Sequence, residues 1–223
     1  MFNKRIFLTY IISFNFFILF GILIVQLKTV DVQAIGPLGS SVGLATINKA
    51  TFDFFKVNMT WYKITDYLGI FALLTALAFA VLGLIQLIKR KSLKKVDYQI
   101  LCLAAYYVLV FAFYILFEKV VIINYRPILL TSDLEVSFPS SHTMLIITVM
   151  SSAMYLIPNY FKNKALVISL ETIAAAVIII TIIGRLISGV HWLTDIIGGF
   201  LLGFALFMLY YSATNHIKSK KHL

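Results

Sequence analysis

Three short stretches hold nearly all the side chains in this sequence that could do chemistry: KVVIINYRP (Lys119 to Pro127), PSSH (Pro139 to His142) and GRLISGVHWLTD (Gly184 to Asp195). Between them they supply the cations Lys119, Arg126 and Arg185, the histidines His142 and His191, the carboxylate of Asp195 and a serine-rich turn. Three fixed cations suit a phosphoryl group, whose charge is spread over its non-bridging oxygens and whose oxygens match the fork of arginine. PSSH precedes an apolar run, so it leads into a helix start where unpaired N–H groups favour an anion, and Ser140 and Ser141 add donors. Lys119 and Arg126 are seven apart; on a helix that is two turns and places both on one face.

Two histidines divide the work of phosphoryl transfer. His191 lies four residues before Asp195 at the start of an apolar helix, so the carboxylate can hold one ring nitrogen and leave the other to attack phosphorus. His142 stands beside the phosphate turn, placed to give a proton to the leaving oxygen; an imidazole pKa near ~6.5 allows either role at neutral pH. This reading has His191 as nucleophile, His142 as general acid, and Lys119, Arg126, Ser140, Ser141 and Arg185 around the phosphate. It needs no metal and no other cofactor.

The chain that must position these groups is 61% hydrophobic and only 13% charged. Crossing about 30 Å of hydrocarbon takes roughly 20 apolar residues as helix, because in lipid the backbone must pair within its own segment. Six runs qualify: Ile6–Gln26, Tyr67–Ile88, Tyr98–Phe117, Thr143–Tyr160, Ala165–Ile183 and Trp192–Tyr211. The fold class is therefore all-α, a single polytopic membrane domain (residues 1–223) with six transmembrane helices in a bundle. The fourth and sixth runs have the least certain lengths.

Cytoplasmic flanks carry excess Lys and Arg. With the N-terminus inside, twelve of the nineteen fall on the inner side, among them Lys89 to Lys95, Lys162, Lys164 and the lysines after Tyr211. Both termini are then cytoplasmic, and all three motif stretches face outward. The net charge of +10 is spread over short loops, which suits membrane topology and anionic headgroups and gives no nucleic-acid surface. The lone Cys102 has no internal disulfide partner.

The long outer connection, residues 28–66, contains Leu44, Ile47, Phe54 and Phe55 at spacings that share one helical face, with Phe52 off it. That pattern predicts a short amphipathic helix lying on the outer surface. Asn58 begins an NMT triplet, a glycosylation sequon that also arises by chance. Asp133 and Glu135 read as solvated charges or partners for nearby cations. Glu171 lies inside the fifth span toward the inner side, and Gly199 and Gly203 suit close helix packing.

The three stretches resemble the signature motifs of the type 2 phosphatidic acid phosphatase superfamily: Lys, six residues, Arg-Pro; Pro-Ser-Gly-His; and Ser-Arg, five residues, His, three residues, Asp. The resemblance implies the phosphate ligands Lys119, Arg126, Ser140 and Arg185, His142 as acid, His191 as nucleophile and Asp195 as its partner. Ser141 stands where that family has glycine, and Gly184 where it has serine. It implies a lipid phosphatase of the bacterial plasma membrane, acting on undecaprenyl diphosphate, phosphatidylglycerol phosphate or phosphatidic acid, with a prenyl chain first. A lipid phosphotransferase and an anionic-lipid transporter are the alternatives, and the His191–Asp195 pair speaks against mere binding.

Overall fold

Six long helices cross the bundle and a seventh short one lies at one end. The computed structural model describes residues 4–221. In chain order the helices are α1 (Lys4–Thr29), α2 (Ala45–Phe55), α3 (Met59–Arg90), α4 (Tyr98–Ile115), α5 (Ser141–Tyr160), α6 (Lys164–Ser188) and α7 (Leu193–Lys221). All but α2 are long and apolar enough to cross a membrane. Each of the six contains the core of its expected run. The largest extensions are at the start of α3, which begins at Met59, and at the ends of α6 and α7.

The six differ in what surrounds them. In α5 and α7, 61% and 56% of the apolar window is buried inside the protein, against 6 to 28% in the others. These two form the centre of the bundle. Their mean hydropathies, 1.3 and 1.9, are below the 2.4 to 2.6 of the rest. A helix that faces protein can carry Ser, Thr and Gly, because these side chains bond locally and let neighbours approach. Ser152 donates to the Val149 carbonyl and Thr214 to that of Tyr210. On α7, a side chain at Gly199 would run into the Ser140 carbonyl, and one at Gly203 would press on Ile147. The glycines therefore set the α5–α7 approach, as expected for close packing.

α1 packs along α7 through Phe16 against Phe204, ring centroids 4.6 Å apart, and through a buried Ser13 hydroxyl that donates to the Ala205 carbonyl. At the lysine-rich end, Asp97 receives Gln86, Arg90 and Tyr160 and ties α3, α4 and α5 together.

α2 forms where a surface helix is expected, but its inward face differs. Asn48 is fully buried and Phe52 packs against Trp192 at 5.8 Å, while Ile47 and Phe54 are exposed. The apolar stripe is split, with Leu44 packed against the core and Phe55 half-buried while Ile47 and Phe54 face out, and the polar Asn48 turns in because it bonds the first turn of α7: it accepts from the Thr194 N–H at 3.1 Å and donates to the Thr194 hydroxyl at 2.9 Å. Asn58, the sequon residue, caps α3 through Thr60 N–H and Trp61 N–H; such a cap stabilises by about 1 kcal/mol.

Candidate active site at one end of the bundle

The motif residues gather at the end of the bundle opposite the turns that hold Lys89 to Lys95 and Lys162 to Lys164. It is formed by the starts of α3, α5 and α7, the ends of α4 and α6, and the segment 121–140. The expected helix linking Lys119 to Arg126 does not form. After α4 comes a π-turn, Leu116–Val120, and from Val121 the backbone is extended. Arg126 precedes Pro127, and a residue before proline is pushed out of helical geometry. Lys119 is exposed on the π-turn and makes no ion pair among the described residues, whereas Arg126 is carried inward.

The segment 121–140 is pinned beside α7. Tyr125 and Val136 form an isolated antiparallel bridge, Arg126 N–H bonds the Glu135 carbonyl at 2.9 Å, and the Trp192 indole N–H bonds the Tyr125 carbonyl at 2.8 Å. The Arg126 guanidinium thereby reaches both Glu135, with Nε 2.9 Å from Oε2, and the imidazole of His191, with Nη1 3.3 Å from Nε2. Glu135 is thus a cation's partner, as expected, and Asp133 remains exposed.

Arginine has no acceptor, so in that contact His191 Nε2 must be the unprotonated nitrogen, with its lone pair outward. The proton then sits on Nδ1, which faces Asp195 Oδ2 at 3.6 Å. That is an electrostatic contact and too long for a hydrogen bond; the same oxygen accepts the Trp192 N–H at 2.9 Å. His191 is 4% exposed. Its burial, with the positive charges of Arg126, Arg185 and His142 around it, holds its pKa well below the ordinary 6.5. The imidazole is neutral, the state a nucleophile needs.

Ser140 is the N-cap of α5. Its hydroxyl accepts from Thr143 Oγ1 at 3.0 Å, and its N–H bonds the Asp195 carbonyl at 2.9 Å, so the second and third motifs are joined directly. Ser141 lies on the walls of two spaces: a cavity of about 10 Å³ beside His191 and a groove of about 510 Å³ that runs from His142 down between α3, α4 and α5. The first has room for about one water. The groove passes Gly69, Leu73, Phe111 and Val149, polar at its mouth and apolar along its length.

Arg185, on the last turn of α6, is fully buried; its Nη2 donates to Asp66 at 2.8 Å and its guanidinium lies 5.1 Å over the Tyr62 ring. Its Nε and Nη1 have no hydrogen-bond partner among the described residues, nor does His142 Nδ1. Buried donors are ordinarily paired, and three unpaired nitrogens here suit an anion. Gly184 is explained by packing. A side chain there would meet Thr65 at 2.6 Å and Trp61 at 2.9 Å, so glycine lets α6 close on α3 and bring Arg185 to Asp66.

Asp66 is the site residue missing from the motif reading. It sits on α3, 3.2 Å from His142 Nε2 as well as 2.8 Å from Arg185. One signal in the sequence points to it: an aspartate immediately before the apolar run that begins at Tyr67, one helical turn before Gly69.

The chain is similar to known proteins in part of its sequence and in its fold. "Phosphatidylglycerophosphatase B" of Bacillus subtilis (strain 168) is 36% identical over a match covering 36% of this chain and 40% of that relative's length. A solved structure, described as the first transmembrane PAP2 type phosphatidylglycerolphosphate phosphatase from Bacillus subtilis, superposes with a TM-score of 0.61 at 20% identity, covering 92% of this chain and 96% of that one. That likeness is one of fold. The PAP2 superfamily model matches residues 119–218, the segment that holds all three motifs and a little under half of the chain.

Proposed function

We propose that the protein is a membrane-embedded, metal-independent lipid phosphatase working through a phosphohistidine, with its site on the extracytoplasmic side. The observation that carries this reading is the meeting of a neutral, buried His191 with two guanidinium groups and a second histidine at the mouth of an apolar groove. The phosphoryl group lies among Arg126, Arg185 and the start of α5, with Ser140, Ser141 and Lys119 as further ligands. His191 Nε2 attacks phosphorus in line as the ester P–O bond breaks, and His142 gives its proton to the leaving oxygen. Water, deprotonated by the now neutral His142, then releases inorganic phosphate and restores both histidines. Asp195 stabilises the Nδ1–H of His191 as positive charge develops on the ring.

The lipid tail lies in the groove between α3, α4 and α5 while the headgroup meets the cations. The names of the similar proteins favour phosphatidylglycerol phosphate as first substrate, ahead of a prenyl diphosphate or phosphatidic acid. The test is phosphate release by purified protein in detergent with EDTA, comparing wild type and His191→Ala on these three lipids. Wild type is expected to release phosphate, and the variant to lose about 10³-fold or more of the rate, the order seen when a catalytic nucleophile or its stabilising groups are removed. No release from any of the three, or full activity in the variant, would sink the reading; phosphate recovered on a second lipid would point to transfer.

A further inference from the structure

His142 has a carboxylate partner of its own. Asp66 Oδ1 lies 3.2 Å from His142 Nε2 and accepts Arg185 Nη2 at 2.8 Å. One turn on, α3 presents Gly69, where a Cβ would come within 3.0 Å of His142 Cδ2 and 3.3 Å of Nε2. The same helix face thus offers this imidazole a charge and the room to reach it. A salt bridge serving only to clamp α3 to α6 would need no opening at 69. The charged and titratable groups facing His142 are Asp66 from α3, Arg185 from α6, and Arg126 and His191 from the two loops; Tyr62 and Tyr114 line the same groove. Among the described residues Asp66 is the only carboxylate within ion-pair distance of His142.

We propose that Asp66 is a positioning residue that holds His142 as the imidazolium with its ring fixed, so that the site contains two aspartate–histidine pairs of opposite duty. The inference rests on the phosphatase reading above. Asp195 faces a histidine kept neutral for attack; Asp66 favours the charged form of His142 against its burial and the nearby Arg185 and Arg126, the form that can donate a proton. In the imidazolium, Nε2–H is held by Asp66, and Nδ1–H, buried with no partner among the described residues, is the proton given away. As the His191–phosphorus bond forms and the ester P–O bond breaks, that proton passes to the leaving oxygen. His142 becomes neutral and regains a proton from the water that cleaves the phosphohistidine.

The test follows the His142 ring by nitrogen-15 NMR across a pH titration of purified protein in detergent, alongside the pH profile of kcat/KM. In Asp66→Asn the His142 midpoint is expected to fall by about one unit or more, a tenfold loss of proton affinity. The alkaline limb of the profile follows it downward while the acid limb, set by His191, does not rise. Asp66→Glu, which keeps the charge, stays near wild type in midpoint. Gly69→Ala, with α3's charges intact, pushes the ring off Asp66 and lowers the midpoint in the same direction; it decides the matter if Asp66→Asn does not fold. A midpoint unchanged in the folded variants overturns the proposal and leaves Asp66 a helix clamp. Wild type inactive on every lipid would defeat the phosphatase reading, while the titration, which needs no turnover, would still judge Asp66.

Discussion

His191 shows how a residue type becomes a chemical state only through its surroundings. A histidine four residues before an aspartate was legible as a candidate nucleophile, and its place at the start of α7 holds. Its protonation state was not legible, because it depends on Arg126 and Arg185, which lie 65 and 6 positions away and approach only on folding. With its pKa held well below 6.5 by burial and those cations, the neutral form persists as pH falls, so nucleophilic competence is lost only on passing through that lowered value. We expect kcat/KM on a lipid phosphate to show its acid limb well below pH 6.5; an acid limb at the ordinary imidazole value would mean that His191 is not the group titrating. Asp66 escaped the motif reading for the same reason: it lies 53 positions before the nearest motif residue, and only the α3–α6 contact gives it a partner.

At the scale of the element, periodicity located six spans and a surface helix, and it failed where local backbone rules intervened. Lys119 and Arg126 keep helical spacing in the sequence, yet Pro127 forbids a helix at Arg126, and the cations separate. In α2 the helix forms where the apolar spacing placed it, but the four apolar positions do not share one environment, and the protein-facing side is defined by Asn48, whose hydrogen bonds outweigh its polarity. The glycine at 184, where the related motif has serine, belongs to the α3–α6 seam. Gly184→Ser is expected to destabilise by overpacking, about 1–3 kcal/mol, read as a lower thermal unfolding midpoint in detergent. An unchanged midpoint with altered KM would instead make position 184 part of the phosphate pocket.

For the whole molecule, composition and charge sufficed to find a six-span bundle with one polar end, and the two central helices were the hardest to delimit because they face protein and carry less apolar sequence. The groove beside His142 could not be read from any pattern, since its walls come from three helices. If it receives the lipid tail, Leu73→Trp, placed in its wall, should raise KM for a long-chain lipid phosphate severalfold or more while leaving hydrolysis of a small soluble phosphate ester nearly unchanged. Equal effects on both substrates would mean the tail lies elsewhere.

The two guanidinium groups of the site are already matched, Arg126 by Glu135 and Arg185 by Asp66. A phosphate must share them with resident carboxylates, and beside His191 there is space of only about 10 Å³. Much of the attraction for a free dianion is thereby cancelled in advance, and on the proposed reading what holds a substrate is its tail. Once the ester bond is cut, inorganic phosphate lacks that tail and meets cations whose own partners are waiting to return. A site so arranged lets go of its product, and inorganic phosphate is expected to be a poor inhibitor of the proposed phosphatase.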